Sequence, residues 1–154
     1  MNKYLSQEEK NTLKLEFAYQ GQSSGMIGGY CEEGFPLYYA NEDMAALLGY
    51  ESVEELAAAI GGKVVNTIHP DDMAQVERDL GGRFYEGMTY ETTYRMLRRD
   101  GSWFWTVDKG KVVRAEDGRL AILSVCTDMS DFLHRQKELG YLMLRGFSWK
   151  QGIC

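Results

Sequence analysis

Side chains alternate with a period of two from residue 88 to residue 127, and this alternation predicts three long strands over 88–99, 102–114 and 119–127. Asp100-Gly101 and Glu116-Asp117-Gly118 supply the turns between them. One parity collects Thr92, Tyr94, Met96, Phe104, Thr106, Asp108, Ile122, Ser124 and Cys126. The other collects Arg95, Leu97, Trp103, Trp105, Val107, Leu123, Val125 and Thr127. Both faces carry apolar residues, so the pattern predicts a sheet covered on both sides, by short helices on one and by a terminal helix or a second subunit on the other.

Upstream the period is helical. Ser6 and Glu9 have capping-box spacing, and 7–20 then offers Leu13 with Phe17 and Leu15 with Tyr19 as i,i+4 pairs, predicting a helix that Gly21 ends. Gln22-Ser23-Ser24-Gly25 reads as a hinge into the body. Segments 26–33 and 37–40 flank Gly34-Phe35-Pro36 and predict strand, turn, strand. Asn41 caps a short helix that turns Met44, Leu47 and Leu48 to one side before Gly49 stops it, and Ser52 with Glu55 opens another. A brief helix is expected at 64–68. After His69-Pro70, 71–81 places Met73, Val76 and Leu80 at i, i+3, i+7, with Asp71 and Asp72 at the positive end. Asp128 and Ser130 cap a final amphipathic helix carrying Phe132, Gln136, Leu139 and Met143, with Leu144 and Phe147 extending its apolar side. The layout is α+β: helix, two strands, helical cluster, three strands, helix.

Composition narrows the class. The 154 residues are 44% hydrophobic and 26% charged, enough for one core, and no run approaches the ~18–20 apolar residues of a membrane-spanning helix. The net charge of -6 divides unevenly: 1–129 hold 13 basic and 21 acidic residues, a balance of -8, while 130–154 hold 4 and 2, a balance of +2. An acidic body disfavours direct nucleic-acid binding, which needs phosphate neutralisation. The N-terminal MNKYLSQEEKNTL has no apolar run behind its lysines, so the expected location is cytoplasmic. Cys31, Cys126 and Cys154 have no spacing that suggests a disulfide framework or a zinc site and read as free thiols.

Five stretches resemble, in order, a bacterial PAS sensory domain of the class found beside histidine kinases and diguanylate cyclases. They are Tyr39-Ala40-Asn41, Leu48-Gly49-Tyr50, Ile68-His69-Pro70-Asp71-Asp72, the run Tyr94-Arg95 through Asp100-Gly101 to Trp105, and Asp117-Gly118 through Asp128 to Ser130. The resemblance implies a PAS fold: a five-stranded antiparallel sheet of order 2-1-5-4-3, short helices on one face, and flanking N- and C-terminal helices. It also implies a pocket between sheet and helices, dimerisation, and signalling through the terminal helices. Residues 1–21 are then an N-terminal amphipathic helix, 22–130 the PAS domain, and 131–154 a C-terminal helix and tail leading to a kinase or cyclase output domain outside this chain. Asn41 reads as a cap, Gly49 as a positive-φ residue, Pro70 as a first-turn residue and Asp100-Gly101 as a hairpin turn.

No cofactor is predicted. The light-sensing branch of the family places a reactive cysteine near the start of its long helix, where this chain reads Asn66-Thr67-Ile68-His69-Pro70-Asp71-Asp72. By resemblance, the amides that branch uses to hold flavin fall at Met96, Thr106 and Cys126. Haem would need a histidine, and His69 reads as a partner of a carbonyl, Asp71 or Asp72, while His134 lies beyond the sheet. Neither flavin nor haem is expected, and no metal. An unidentified small organic ligand remains open. Its candidate lining is Ile27, Met44, Leu47, Met73, Val76, Leu80, Tyr94, Met96, Phe104, Thr106, Ile122, Ser124 and Cys126; a filled core is the competing reading of the same residues.

Asp108 breaks the apolar parity. It reaches a pocket rim, pairs with a basic residue, or marks a bend in its strand. Trp103, Trp105 and Val107, on the other parity, are candidates to hold Leu13 and Phe17 of the first helix or a second copy of the chain. Three functions stay in view: a sensory module in a multidomain regulator, a ligand-free homodimerisation module, and a small α+β enzyme using His69 with Asp71 or Asp72. No catalytic residue is assigned, because nothing in the spacing sets a thiol beside the imidazole.

Overall fold

The computed structural model describes residues 6–19 and 21–130. The predicted final helix and tail, with His134 and Cys154, lie outside those residues. Five strands form one antiparallel sheet of order β2-β1-β5-β4-β3. They are β1 (Ser24–Tyr30), β2 (Leu37–Ala40), β3 (Thr89–Leu97), β4 (Trp103–Arg114) and β5 (Leu120–Asp128). Helix α1 (Gln7–Phe17) precedes the sheet, while α2 (Glu42–Leu47), α3 (Val53–Ala59), 3-10 turns at Val64–Thr67 and Pro70–Asp72, and α4 (Met73–Leu80) separate β2 from β3.

The capping box of α1 is complete: the Glu9 amide donates to Ser6 Oγ (3.1 Å) and the Ser6 amide to Glu9 Oε1 (2.8 Å). The helix stops at Phe17, short of the predicted end, because Ala18 turns to extended backbone (ψ 149°). Tyr19 is therefore not a helical partner of Leu15, which is 83% exposed, and its ring instead lies 4.5 Å from the Lys109 ammonium.

The inner face of the sheet is covered, and the outer face is covered by α1 over β1 and β5, part of the two-sided cover that the alternation predicts. Inside, Ile27, Met44, Leu48, Leu56, Met96, Phe104 and Val112 build the main core under α2–α4. The close approach of α2 to β1 requires Gly25, since a Cβ there would lie 2.5 Å from Met44 Cα. Outside, Leu13 of α1 joins Met26, Val113, Ala121, Leu123 and Val125, flanked by Phe17, Tyr38 and Tyr39. The expectation that Leu13 and Phe17 dock on Trp103, Trp105 and Val107 is thus corrected. The smooth aliphatic surface lies over β1 and β5, and the two indoles instead flank the Arg95 guanidinium, 5.4 and 5.7 Å from their centroids. Lys10 over the Tyr39 ring (4.0 Å) and the Lys14–Asp43 ion pair hold α1 from the rim.

Candidate functional site

Helix α4 positions the site. His69 Nδ1 accepts from the Asp71 amide (3.1 Å), capping the turn that Pro70 opens, and the His69 amide donates to the Arg95 carbonyl (2.9 Å) on edge strand β3. The Asp72 side chain makes no capping hydrogen bond to α4. Its Oδ2 accepts from the Arg95 amide (2.7 Å) and Nε (3.0 Å), and its Oδ1 from Nη2 (2.7 Å). This fork satisfies part of an open sheet edge and holds the Asp72 carboxyl below its ordinary value, chiefly through the Arg95 hydrogen bond. Further along α4, Gln75 Nε2 donates to the Thr93 carbonyl (2.9 Å) and Thr92 Oγ1 donates to Asp79 (2.7 Å).

With its polar side tied to β3, α4 turns Met73, Val76 and Leu80 toward the sheet. Between them lies a cavity with about 40 Å³ open to the centres of water-sized molecules. Its walls are Ile27, Gly28, Gly29, Phe35, Val64, Val65, Ile68, Met73, Val76, Leu80 and Ile122, and its polar lining is Glu77, Tyr90, Tyr94, Asp108 and Ser124.

Asp108 is the centre of the polar end. It is 6% exposed, and it accepts from Tyr94 Oη at Oδ2 (2.8 Å) and from Tyr90 Oη at Oδ1 (3.2 Å). Tyr90 Oη also lies 2.6 Å from Ser124 Oγ, and Tyr94 Oη 3.8 Å from Cys126 Sγ. The Tyr90 ring reaches this group by lying across Gly110, its partner on β4, where a Cβ would stand 2.3 Å from the ring. Burial raises the Asp108 pKa to about 6, with the hydroxyl and thiol donors opposing the rise. Burial and the Asp108 charge push the Tyr90, Tyr94 and Cys126 pKa values well up.

Of the residues singled out from the sequence, Ile27, Met73, Val76, Leu80, Tyr94, Ile122 and Ser124 line the cavity. Met44, Leu47, Met96, Phe104, Thr106 and Cys126 do not. Met44 and Leu47 pack in the α2 region, and Met96, Phe104 and Thr106 lie toward the other end of β3 and β4 from the Tyr90–Gly110 pair. Asp108 keeps the inward parity and neither bends the strand nor pairs with a basic residue; tyrosine hydroxyls are its donors. The period-two pattern puts Tyr90 and Asp108 on the same face as Tyr94, so they were accessible to sequence reasoning. Phe35 was not, because it enters from a turn at φ 51°.

The remaining motif residues hold the frame. Asn41 Oδ1 accepts from the Met44 amide (2.9 Å) and the Met26 amide (3.0 Å), joining α2 to β1. Gly49 has φ 89°, next to Tyr50, whose ring faces the Arg99 guanidinium at 6.0 Å. Asp100 accepts from the amide and hydroxyl of Ser102 around Gly101, at φ 90°. At the exit of β5, the Asp128 amide donates to the Ser23 carbonyl (2.8 Å) and its Oδ1 accepts from the Ser130 amide (2.9 Å). Burial and Glu32 raise the Cys31 pKa to about 11, so neither described thiol is primed as a nucleophile. Among the described residues, no group of three or more His, Cys, Asp or Glu side chains is placed to hold a metal, and no helix is long and apolar enough to cross a membrane.

Similar structures are numerous. A sensory box histidine kinase/response regulator from Burkholderia thailandensis E264 superposes with a TM-score of 0.60 at 22% identity, covering 90% of this chain and 100% of that one. An RNA-binding light-oxygen-voltage receptor gives 0.59 at 20% identity over 90% of this chain and 38% of its own. The PAS domain of the fruit-fly ELK potassium channel gives 0.50 at 18% identity, covering 79% and 97%. No curated protein matches the sequence. The sequence model of the PAS fold matches residues 37–126, from the start of β2 into β5, and the chain therefore belongs to the PAS family.

Proposed function

We propose that this chain is the sensory module of a larger bacterial signalling protein, in which a small molecule in the cavity under α4 shifts the segments that enter and leave the sheet. The observation that carries this reading is the continuity of β5. Ser124 lines the cavity, and a few residues on, the Asp128 amide donates to the Ser23 carbonyl and the Met129 amide to the Trp105 carbonyl (2.9 Å). The leading and trailing segments thus meet at the end of a strand that touches the ligand space. The likeness to a sensory box histidine kinase/response regulator supports a covalently linked kinase output; a cyclase output in its place and a cytoplasmic setting are parts of the same proposal. The ligand we propose is neither flavin nor haem, as a cavity of about 40 Å³ supports a much smaller occupant.

Val76→Phe fills the cavity without a ligand, with Val76→Leu as a milder variant. The expected result is a change in amide chemical shifts at Ser23 and at Asp128–Ser130. Shifts confined to the cavity walls in both variants would sink the reading.

A homodimer through the uncovered part of the outer face is part of the proposal. Trp103 is 44% exposed there, beside half-buried Trp105 and Val107. Trp105→Glu is expected to halve the sedimentation mass, and an unchanged mass removes this face as the interface.

A further inference from the structure

The cavity carries a charge that its walls do not balance. Its acidic lining residues are Glu77 and Asp108, and none of the lining is Lys, Arg or His. Glu77, on α4, is exposed and screened by water, whereas Asp108 is buried at the inner end. Facing Asp108 are Tyr90 and Tyr94 from β3 and Ser124 and Cys126 from β5, all held neutral. Its neighbour Lys109 turns to the opposite face, toward Tyr19 and Glu91. A carboxylate offers about four lone-pair positions; the two tyrosine hydroxyls take one on each oxygen, and Ser124 and Cys126 approach it only as longer, weaker donors. An ionised carboxylate removed from water without a counter-cation is costly.

We infer that the cavity takes a small organic ammonium ion, whose N–H groups donate to the free lone pairs of Asp108 while its short alkyl part lies among Ile27, Val76, Leu80 and Ile122. The inference rests on the sensory reading of this cavity and specifies its ligand class. A hard metal ion needs several oxygen ligands and is poorly served by one carboxylate among aliphatic walls. The open volume of about 40 Å³ admits about three water-sized groups, which limits the ligand to roughly three to five non-hydrogen atoms. For so few atoms the dissociation constant is on the order of 10 µM at best.

Propylammonium chloride, 1-propanol and sodium propionate are titrated at matched ionic strength into the full chain near pH ~7.5, with binding read from the amide shifts of Gly28, Gly29, Ile122 and Ser124. Propylammonium is expected to saturate these shifts with a dissociation constant at least about tenfold below that of propanol, the scale of a charge-assisted hydrogen bond. Asp108→Asn is expected to erase that advantage and leave propanol unchanged. Lowering the pH to about 5 is expected to weaken propylammonium about tenfold, because Asp108 takes up its proton near 6 while an alkylamine stays charged. The pH series on the unaltered chain decides the matter if Asp108→Asn does not fold. Equal affinity for propylammonium and propanol, propylammonium binding that ignores the pH change, or no saturable shift with any probe overturns the ammonium assignment. The sensory reading fails separately, if the Val76 variants leave Ser23 and Asp128–Ser130 unmoved.

Discussion

Tyr94 donates its hydroxyl proton to Asp108 across 2.8 Å in the interior of the sheet's covered face, and no ion pair among the described residues includes that carboxylate. Neutral donors offset only part of the desolvation, so the Asp108 pKa is about 6 in the fold against 3.8 for an unperturbed aspartate. A raised carboxyl pKa means the folded state binds the proton more tightly. The favourable contribution is therefore present below about pH 4 and lost as the pH rises through about 6, a swing of about 3 kcal/mol. Asp108→Asn, which keeps an acceptor for Tyr94 and cannot ionise, is expected to gain stability relative to the parent across this window. Urea denaturation of both proteins between about pH 4 and 7 measures it, and a pH-independent difference contradicts the assignment.

Asp72 behaves in the opposite sense. Its carboxyl is depressed by the Arg95 fork, so its contribution is present above the unfolded value of 3.8 and lost as the pH falls through the lower folded one. Asp72→Ala leaves the Arg95 amide on β3 without its acceptor and is expected to cost about 2–3 kcal/mol near neutral pH, the range for hydrogen bonds to charged groups. Asp72→Asn retains an acceptor and should cost about half as much. Equal losses in the two variants would show that the fork contributes little beyond packing.

Much of this arrangement was legible in the sequence, for identifiable reasons. Alternation from residue 88 onward has one physical solution, long strands with fixed parity, and it places Tyr90, Tyr94 and Asp108 on one face. Capping chemistry is equally local: Ser6 with Glu9, and Asn41 with Met44, bond as their spacing requires. What periodicity does not contain is position along the strand. Met96 and Tyr94 share a face, yet only Tyr94 meets the cavity, because the placement of α4 depends on the Asp72–Arg95 and Thr92–Asp79 contacts between distant segments. The docking of α1 was misread for a related reason. Indole area suggested an apolar platform at Trp103 and Trp105, whereas their stacking on Arg95 is visible only in three dimensions.

Gly110 is expected to tolerate no side chain while Tyr90 is present. A Cβ there falls 2.3 Å from the Tyr90 ring, so Gly110→Ala must displace the ring and break its 2.6 Å contact with Ser124. Overpacking of this kind costs about 1–3 kcal/mol. In the double variant Gly110→Ala/Tyr90→Leu the clash is removed, and the two losses should fall short of their sum by about 1 kcal/mol or more. Strict additivity in thermal and urea unfolding would mean that Gly110 matters for the strand backbone and not for the seat of Tyr90.

Leu13 tests whether α1 is a separable cover. It is the buried residue of α1 and sits on Met26, Leu123 and Val125, whereas the inner core under α2–α4 makes no use of it. Leu13→Ala should cost about 2–4 kcal/mol if the helix and sheet melt together, as truncation of a buried leucine in one cooperative core does. A helix of 11 residues is marginal by itself, so Leu13→Asp should release α1 alone. The expected signature is loss of amide protection over Gln7–Phe17 with protection of β3 and β4 retained, together with concentration-dependent self-association through the exposed aliphatic surface. Protection lost equally from α1 and the sheet would make α1 an integral part of the core, and an output path that works by lifting α1 from the sheet would then have no structural basis.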